Sequence, residues 1–177
     1  RLPDLRMAPL SQFSTENSGG GRRLRFRTIM TNEGTGPLEV RGRRDNLSQP
    51  HLRTQQAIHD GSGNVRLVNS RALMEYAEDA HDHWHIQGVM LYQMWSPNGT
   101  VRRGTKVGFC FLDSDVWRSN LPGYSGGYYN GSMCSTNPNA LNNRMGISIG
   151  MGDEYEWFLA WQWVDITGLP TGTYTLT

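Results

Sequence analysis

Apolar and polar side chains alternate along this chain in short runs broken by Gly, Pro and Asn, and that pattern predicts strands. Five runs stand out: Leu24 to Met30, His83 to Trp95, Lys106 to Leu112, Tyr155 to Ile166 and Gly172 to Thr177. Each is rich in β-branched or aromatic residues, which pack well on a pleated, half-buried surface. Ser96-Pro97-Asn98-Gly99 is a turn signal joining two antiparallel strands. Ala72 to Asp79 predicts a short helix leading into the run that begins at His83. Leu121 to Asn143, rich in Gly, Asn, Ser and Tyr, has no period and reads as a long loop. The sum is an all-β fold, a β-sandwich with long irregular loops and little helix.

Composition narrows the picture. A chain of 177 residues is long enough for one domain with a real core, and 21 Gly with 8 Pro suit loop-rich β structure better than a helical bundle. A formal charge of +1 gives no reason to expect nucleic acid as a partner. No stretch approaches the roughly 20 apolar residues of a membrane span. Arg23, Arg25 and Arg27 alternate with Leu24 and Phe26, which reads as a solvated strand face. Arg41, Arg43 and Arg44 form a second local basic run, and a landing surface for an acidic partner is the less favoured explanation of both. His51 and His59 lie in a polar stretch and read as surface residues. The opening Arg1-Leu2-Pro3-Asp4-Leu5 carries no signal-peptide pattern. Two cysteines, Cys110 and Cys134, are compatible either with one disulfide across a long loop or with two buried thiols.

The chemistry concentrates in His81-Asp82-His83-Trp84-His85. Residues two apart in a strand share a face, so the three imidazoles line one side and can converge on one ion. Imidazole suits copper, zinc, iron or nickel, and three protein ligands leave a coordination position open for reaction. The pattern by itself does not choose the metal. A zinc hydrolase and a non-catalytic copper-binding β-sandwich both remain compatible with it.

Lysine usage is the second signal. Sixteen of the 17 basic residues are Arg, and the one Lys, Lys106, sits in the apolar run Thr105-Lys106-Val107-Gly108-Phe109-Cys110. A compositional preference for guanidinium accounts for the count. The setting points further, because an amine that loses hydration becomes more readily neutral and nucleophilic.

These segments together resemble the lysyl oxidase family. His81-Asp82-His83-Trp84-His85 is similar to its copper-binding histidine core, and Gly104-Thr105-Lys106-Val107-Gly108-Phe109-Cys110 to the segment carrying its cofactor lysine. Asp153-Glu154-Tyr155, with Trp161-Gln162-Trp163-Val164-Asp165-Ile166-Thr167 downstream, resembles the segment carrying its cofactor tyrosine. Leu24-Arg25-Phe26, Asn32-Glu33-Gly34 and Leu169-Pro170-Thr171-Gly172-Thr173-Tyr174 match in the same order, so the likeness spans most of the chain.

The resemblance implies a copper amine oxidase of residues 1–177, a single catalytic domain continuing past Thr177 in the family. His81, His83 and His85 would be the copper ligands. Lys106 and Tyr155 would join as lysine tyrosylquinone, a cofactor made from the protein's own side chains. The implied reaction oxidises peptidyl lysine, or another primary amine, to an aldehyde with dioxygen, releasing hydrogen peroxide and ammonia. An extracellular location goes with it. A general base is needed; Asp82, Asp153 and Asp165 lie near the motifs without distinction. Trp157, Trp161 and Trp163 share strand parity with Tyr155 and would wall the cofactor or pack the core. Tyr124, Tyr128 and Tyr129 would line a substrate groove or anchor the loop. Asp4 and Leu5 resemble two family calcium ligands, a carboxylate and the next carbonyl. The chain departs from animal members in having Ala80 before His81 and only two cysteines.

Overall fold

Strand pairing, far more than local helix propensity, organises the chain. In a computed structural model, residues 1–78, 82–99, 101–106 and 108–177 are described. Among them the strands run β1 Leu5–Met7, β2 Ser11–Ser18, β3 Gly21–Asn32, β4 Leu38–Arg43 and β5 Leu52–His59. Next come β6 Val65–Ala77, β7 His83–Gln87, β8 Gln93–Trp95, β9 Val101–Arg103 and β10 Gly108–Phe109. The series closes with β11 Asp115–Val116, β12 Asn142–Ile147, β13 Met151–Tyr155, β14 Trp163–Asp165 and β15 Thr175–Leu176. One 3-10 turn, Gly131–Cys134, is the helical content of the described residues. The all-β sandwich expectation holds: among the described residues the sheets are antiparallel and no barrel closes.

The chain divides into two compact units. The first comprises Arg1–Ala8, Met30–Val89 and Gly108–Asp153. Its main sheet has the order β10-β7-β6-β5-β4-β12. One face of that sheet supplies Leu52, Met74, Trp84, Ile86, Met145 and Ile147 to a core from which water is nearly absent. Within the same unit β1 pairs with Met30–Asn32, and β11 with Met151 and Gly152. A disulfide joins Cys110 to Cys134, with Cα atoms 5.8 Å apart, so the paired reading of the two cysteines is the one realised.

The second unit comprises Pro9–Ile29, Met90–Val107 and Glu154–Thr177. Here β2 and β14 both pair with the first part of β3, and β15-β8-β9 form a small sheet. The expected turn at Ser96–Gly99 joins β8 to β9, with the Gly99 amide donating to the Ser96 carbonyl at 3.0 Å. Phe26, Tyr92, Met94 and Val164 are buried, and the Phe26 and Tyr92 rings meet edge to face at 5.1 Å.

Four expectations need correction. The helix expected over Ala72 to Asp79 is not formed: through Ala77 the segment is the end of β6, with Met74–Ala77 hydrogen-bonded to β7 and Leu73 and Met74 to β5, and Asp79 lies outside the described residues. Two flanking partners outweigh a short helical period. His83 to Trp95 is two strands, parted at Gly88, whose φ of 70° an L side chain resists. Tyr155 to Ile166 is likewise interrupted. The Leu159 amide donates to the Glu156 carbonyl and the Gln162 amide to the Leu159 carbonyl, making turns that break the parity assumed for Trp157, Trp161 and Trp163. Finally, Arg23, Arg25 and Arg27 do not form a solvated face. Glu16 pairs with Arg23 and Arg25, Glu154 with Arg27, and Arg23 lies 4.1 Å over the Trp163 ring.

Candidate metal and cofactor residues

Alternation on β7 puts His83 and His85 on one face while Trp84 and Ile86 point into the core. The two Nε2 atoms lie 2.9 Å apart, and the rings stand edge to face with centroids 4.6 Å apart. Two imidazoles this close on one face are donors of the kind that hold copper, zinc, iron or nickel. His81 lies outside the described residues, and among those described no cluster of three His, Cys, Asp or Glu is assembled. Gly108 on β10 limits the room behind this pair. A Cβ there would come within 3.0 Å of both His85 Cβ and Nδ1. The sequence held no signal for that contact, since a lone Gly in a strand marks close approach without naming what approaches.

The second pair belongs to the second unit. Lys106 is 4% exposed and Tyr155 is 7% exposed, with the Lys106 Nζ 4.7 Å from the centre of the Tyr155 ring. Backbone contacts fix the lysine segment: the Gly104 amide donates to the Tyr92 carbonyl at 2.8 Å, and the Thr105 amide to the Trp163 carbonyl at 3.1 Å. Tyr155 ends β13, next to Glu154, whose carboxylate pairs with Arg27. Gln162 is wholly buried and donates to Thr28 Oγ1 at 3.2 Å, while Thr28 shares a hydrogen bond of 3.0 Å with the Tyr92 hydroxyl. In the sequence Gln162 stands out only as part of a motif; its burial and its bond to Thr28 make it a polar group inside this unit.

The other singled-out residues scatter. Asp82 and Asp165 are exposed, and Asp153 is buried. Asp165 is held below the usual carboxylate range by the hydroxyl and amide of Thr167, which weakens it as a base. Asp4 and Leu5 are exposed; the Asp4 carboxylate pairs with Arg6 at 3.0 Å, and the Asp4 carbonyl accepts from the Glu33 amide at 2.8 Å. Together they offer two oxygens where calcium takes six to eight. Trp157 and Trp161 are exposed.

Tyr129 is buried and anchors its loop, its hydroxyl donating to Glu39 at 2.8 Å, and with Tyr128 it also borders a shallow trough. Arg41 donates to the other oxygen of Glu39 at 2.6 Å. His59 is half-buried, correcting its surface reading; its Nε2 lies 3.2 Å from Glu39 yet is not aligned to donate to it. An acid inside the apolar triplet Leu38-Glu39-Val40 was the available signal for this cluster.

The family model for lysyl oxidase matches residues 42–177. Lysyl oxidase homolog 2 of Rattus norvegicus is 31% identical over 126 residues, covering 70% of this chain and 14% of that protein. The Homo sapiens homolog 2 is 32% identical over the same length, and Homo sapiens lysyl oxidase homolog 3 is 30% identical over 128 residues. The chain thus spans only 14–15% of the length of these relatives. Agreement between a family model covering most of the chain and several relatives above 30% identity decides the matter: this protein belongs to the lysyl oxidase family.

Proposed function

We propose that the chain is the catalytic part of a copper amine oxidase, taking peptidyl lysine or another primary amine to the aldehyde at the expense of dioxygen. The observation that carries this reading is the buried Lys106 amine held 4.7 Å over the Tyr155 ring. His81, His83 and His85 are the proposed copper ligands, and Lys106 with Tyr155 the source of lysine tyrosylquinone. When present, copper and that quinone supply the redox capacity and the reactive carbonyl that an amine oxidase needs.

The chain's own residues prepare this chemistry. Burial withdraws bulk water from the Lys106 amine and leaves it against the Tyr155 ring. The Tyr92 and Trp163 carbonyls tether the backbone on either side of Gly104, so the four-carbon stem of Lys106 moves against a fixed base. Bringing Nζ from 4.7 Å over the ring to a C–N bond of about 1.4 Å at its edge asks for a shift of a few ångströms. The hydrogen-bonded set Gln162, Thr28 and Tyr92 keeps the surrounding unit rigid. The Cys110–Cys134 disulfide supports an oxidising, extracellular setting. No helix among the described residues is long and apolar enough to cross a membrane. A zinc hydrolase reading leaves the Lys106–Tyr155 pair without a task.

Peptide mass mapping after loading with copper in air tests the proposal. A covalent Lys106–Tyr155 adduct, absent from Lys106→Met, is the expected product. Two unmodified peptides after full copper loading would reject it.

A further inference from the structure

On the face of the main sheet that carries His83 and His85, the strands β12, β4 and β5 hold side chains with no part in the chemistry above. Their placement follows from register. Arg144 on β12 stands opposite Arg41 on β4, and Arg41 opposite Gln55 on β5. One row along, Asn142 opposes Arg43, Arg43 opposes Arg53, and Arg53 opposes Leu73 on β6. Directly opposed residues share a face, so all four arginines emerge on one side of the sheet.

Charge on that face is unbalanced. Glu39 holds Arg41 at 2.6 Å, and Asp45 is shared between Arg53 at 2.7 Å and Arg43 at 3.9 Å. In these rows four guanidiniums thus meet two carboxylates, with Glu75 the next acid along the same face, while the whole chain carries only +1. The Arg43 and Arg53 side chains are 76% and 67% exposed, although each has an acid nearby. Two shallow troughs of about 610 Å³ and 560 Å³ lie over these rows, both bounded by Arg43 and Gln55 and so continuous with each other.

We propose that this arginine-rich sheet face docks an extended acidic polypeptide segment. Residues two apart on β4 repeat at about 6.8 Å, the same repeat as alternate side chains of an extended peptide, so acids at every second position meet Arg41 and Arg43 in step. A guanidinium fork matches a carboxylate in two hydrogen bonds. Between the cations stand amides, Gln55, Asn69 and Asn142, suited to main-chain groups, and the half-exposed Leu67 and Leu73, suited to apolar side chains. A sugar polymer would ask instead for open aromatic platforms, and Tyr128 at the margin is already covered by Arg144, 5.3 Å over its ring.

The same face carries His83 and His85. They stand opposite Ala77 and Glu75, which share the parity of Leu73 on β6. From β4 to β7 is three strand spacings, about 14 Å. The acidic segment therefore belongs to the protein whose amine is oxidised, a clause that rests on the oxidase reading; the docking itself does not.

Fluorescence anisotropy tests the docking on the full chain, with a labelled peptide carrying glutamate at alternate positions and its glutamine counterpart. The acidic peptide should bind about tenfold more tightly than the glutamine one, with affinity falling as salt rises. Arg43→Gln/Arg53→Gln should lose about that factor, whereas Arg22→Gln/Arg66→Gln, removing equal charge from exposed positions elsewhere, should not. Both double variants alter exposed side chains, and unchanged thermal midpoints verify their folding. Equal binding of the two peptides, equal loss in both variants, or tighter binding of a sulfated oligosaccharide than of the acidic peptide would each overturn the proposal. Turnover of butylamine by the copper-loaded wild type is read in parallel: its absence removes the oxidase reading and leaves the binding result standing.

Discussion

Replacing Tyr129 by Phe isolates one hydrogen bond to a buried charge. The ring is 3% exposed and its hydroxyl donates to Glu39, itself 2% exposed, at 2.8 Å. Removing only the oxygen leaves no cavity, so the cost is that of a carboxylate oxygen losing a donor, about 1.5–3 kcal/mol for a bond to a charged group. For a chain of this length that lowers the thermal midpoint by about 4–10 °C.

The effect should also depend on pH in one direction. Burial pushes the Glu39 carboxyl up, but hydrogen bonds from Arg41 and Tyr129 outweigh it and hold the group below its ordinary value of 4.5. A carboxyl lowered by folding contributes stability that is complete above 4.5 and is lost as pH falls through the folded value. Without the hydroxyl the folded value moves back up, so the gap between wild type and Tyr129→Phe is widest above 4.5 and closes below it. Calorimetry at pH 7 and pH 3.5 reads both parts. A midpoint within 1 °C of wild type at pH 7, or a deficit that persists undiminished at pH 3.5, would refute the reasoning.

Two further outcomes follow from the first unit. The Cys110–Cys134 bond closes a loop with a sequence separation of 24, worth about 3.5 kcal/mol in chain entropy, so reduction should lower the midpoint by roughly 7–14 °C in calorimetry with and without reductant. Gly108→Ala places a methyl against His85 and Gln87, and copper affinity measured by calorimetric titration should fall about tenfold while far-ultraviolet dichroism stays unchanged. Undiminished affinity would show that the His85 ring has more room than its neighbours leave it.

Most strands were legible because alternation survives wherever one face of a sheet is buried, as on β7, where His83, Trp84 and His85 fall on the sides their parity assigns. Breaks inside the runs were not. Gly88 and the turns between Glu156 and Gln162 interrupt sequences whose apolar content looks continuous, because Trp157 and Trp161 are exposed rather than buried. The arginine ladder of β3 failed for a related reason: Glu16 reaches Arg23 and Arg25 only because β2 pairs with β3, and Glu154, the partner of Arg27, lies more than a hundred residues away. The proximity of Lys106 to Tyr155 was foreseeable through likeness to a family, whereas the Glu39–Tyr129 bond joins two segments that no motif links.

Why sixteen arginines and a single lysine? Part of the answer is geometric. Arg44 donates from Nε to the Ala140 carbonyl at 2.9 Å and from Nη1 to the Gln49 carbonyl at 3.0 Å, while its guanidinium lies 5.0 Å over Trp84. Arg25 bonds the Trp157 and Leu159 carbonyls and Glu16 at once. An ammonium is a point donor and spans neither set, so Arg44→Lys should cost about 2–3 kcal/mol in urea denaturation. Geometry says nothing of the kind for Arg66, which is exposed on β6; Arg66→Lys should leave stability within about 0.5 kcal/mol. If the absence of surface lysine protects an amine oxidase from its own product, that neutral exchange should nonetheless change the protein's fate. Copper-loaded Arg66→Lys held in air should accumulate covalent dimers by denaturing electrophoresis, and wild type should not. An Arg66→Lys chain still monomeric after prolonged turnover of an added amine would mean that selection against lysine had no part in this composition.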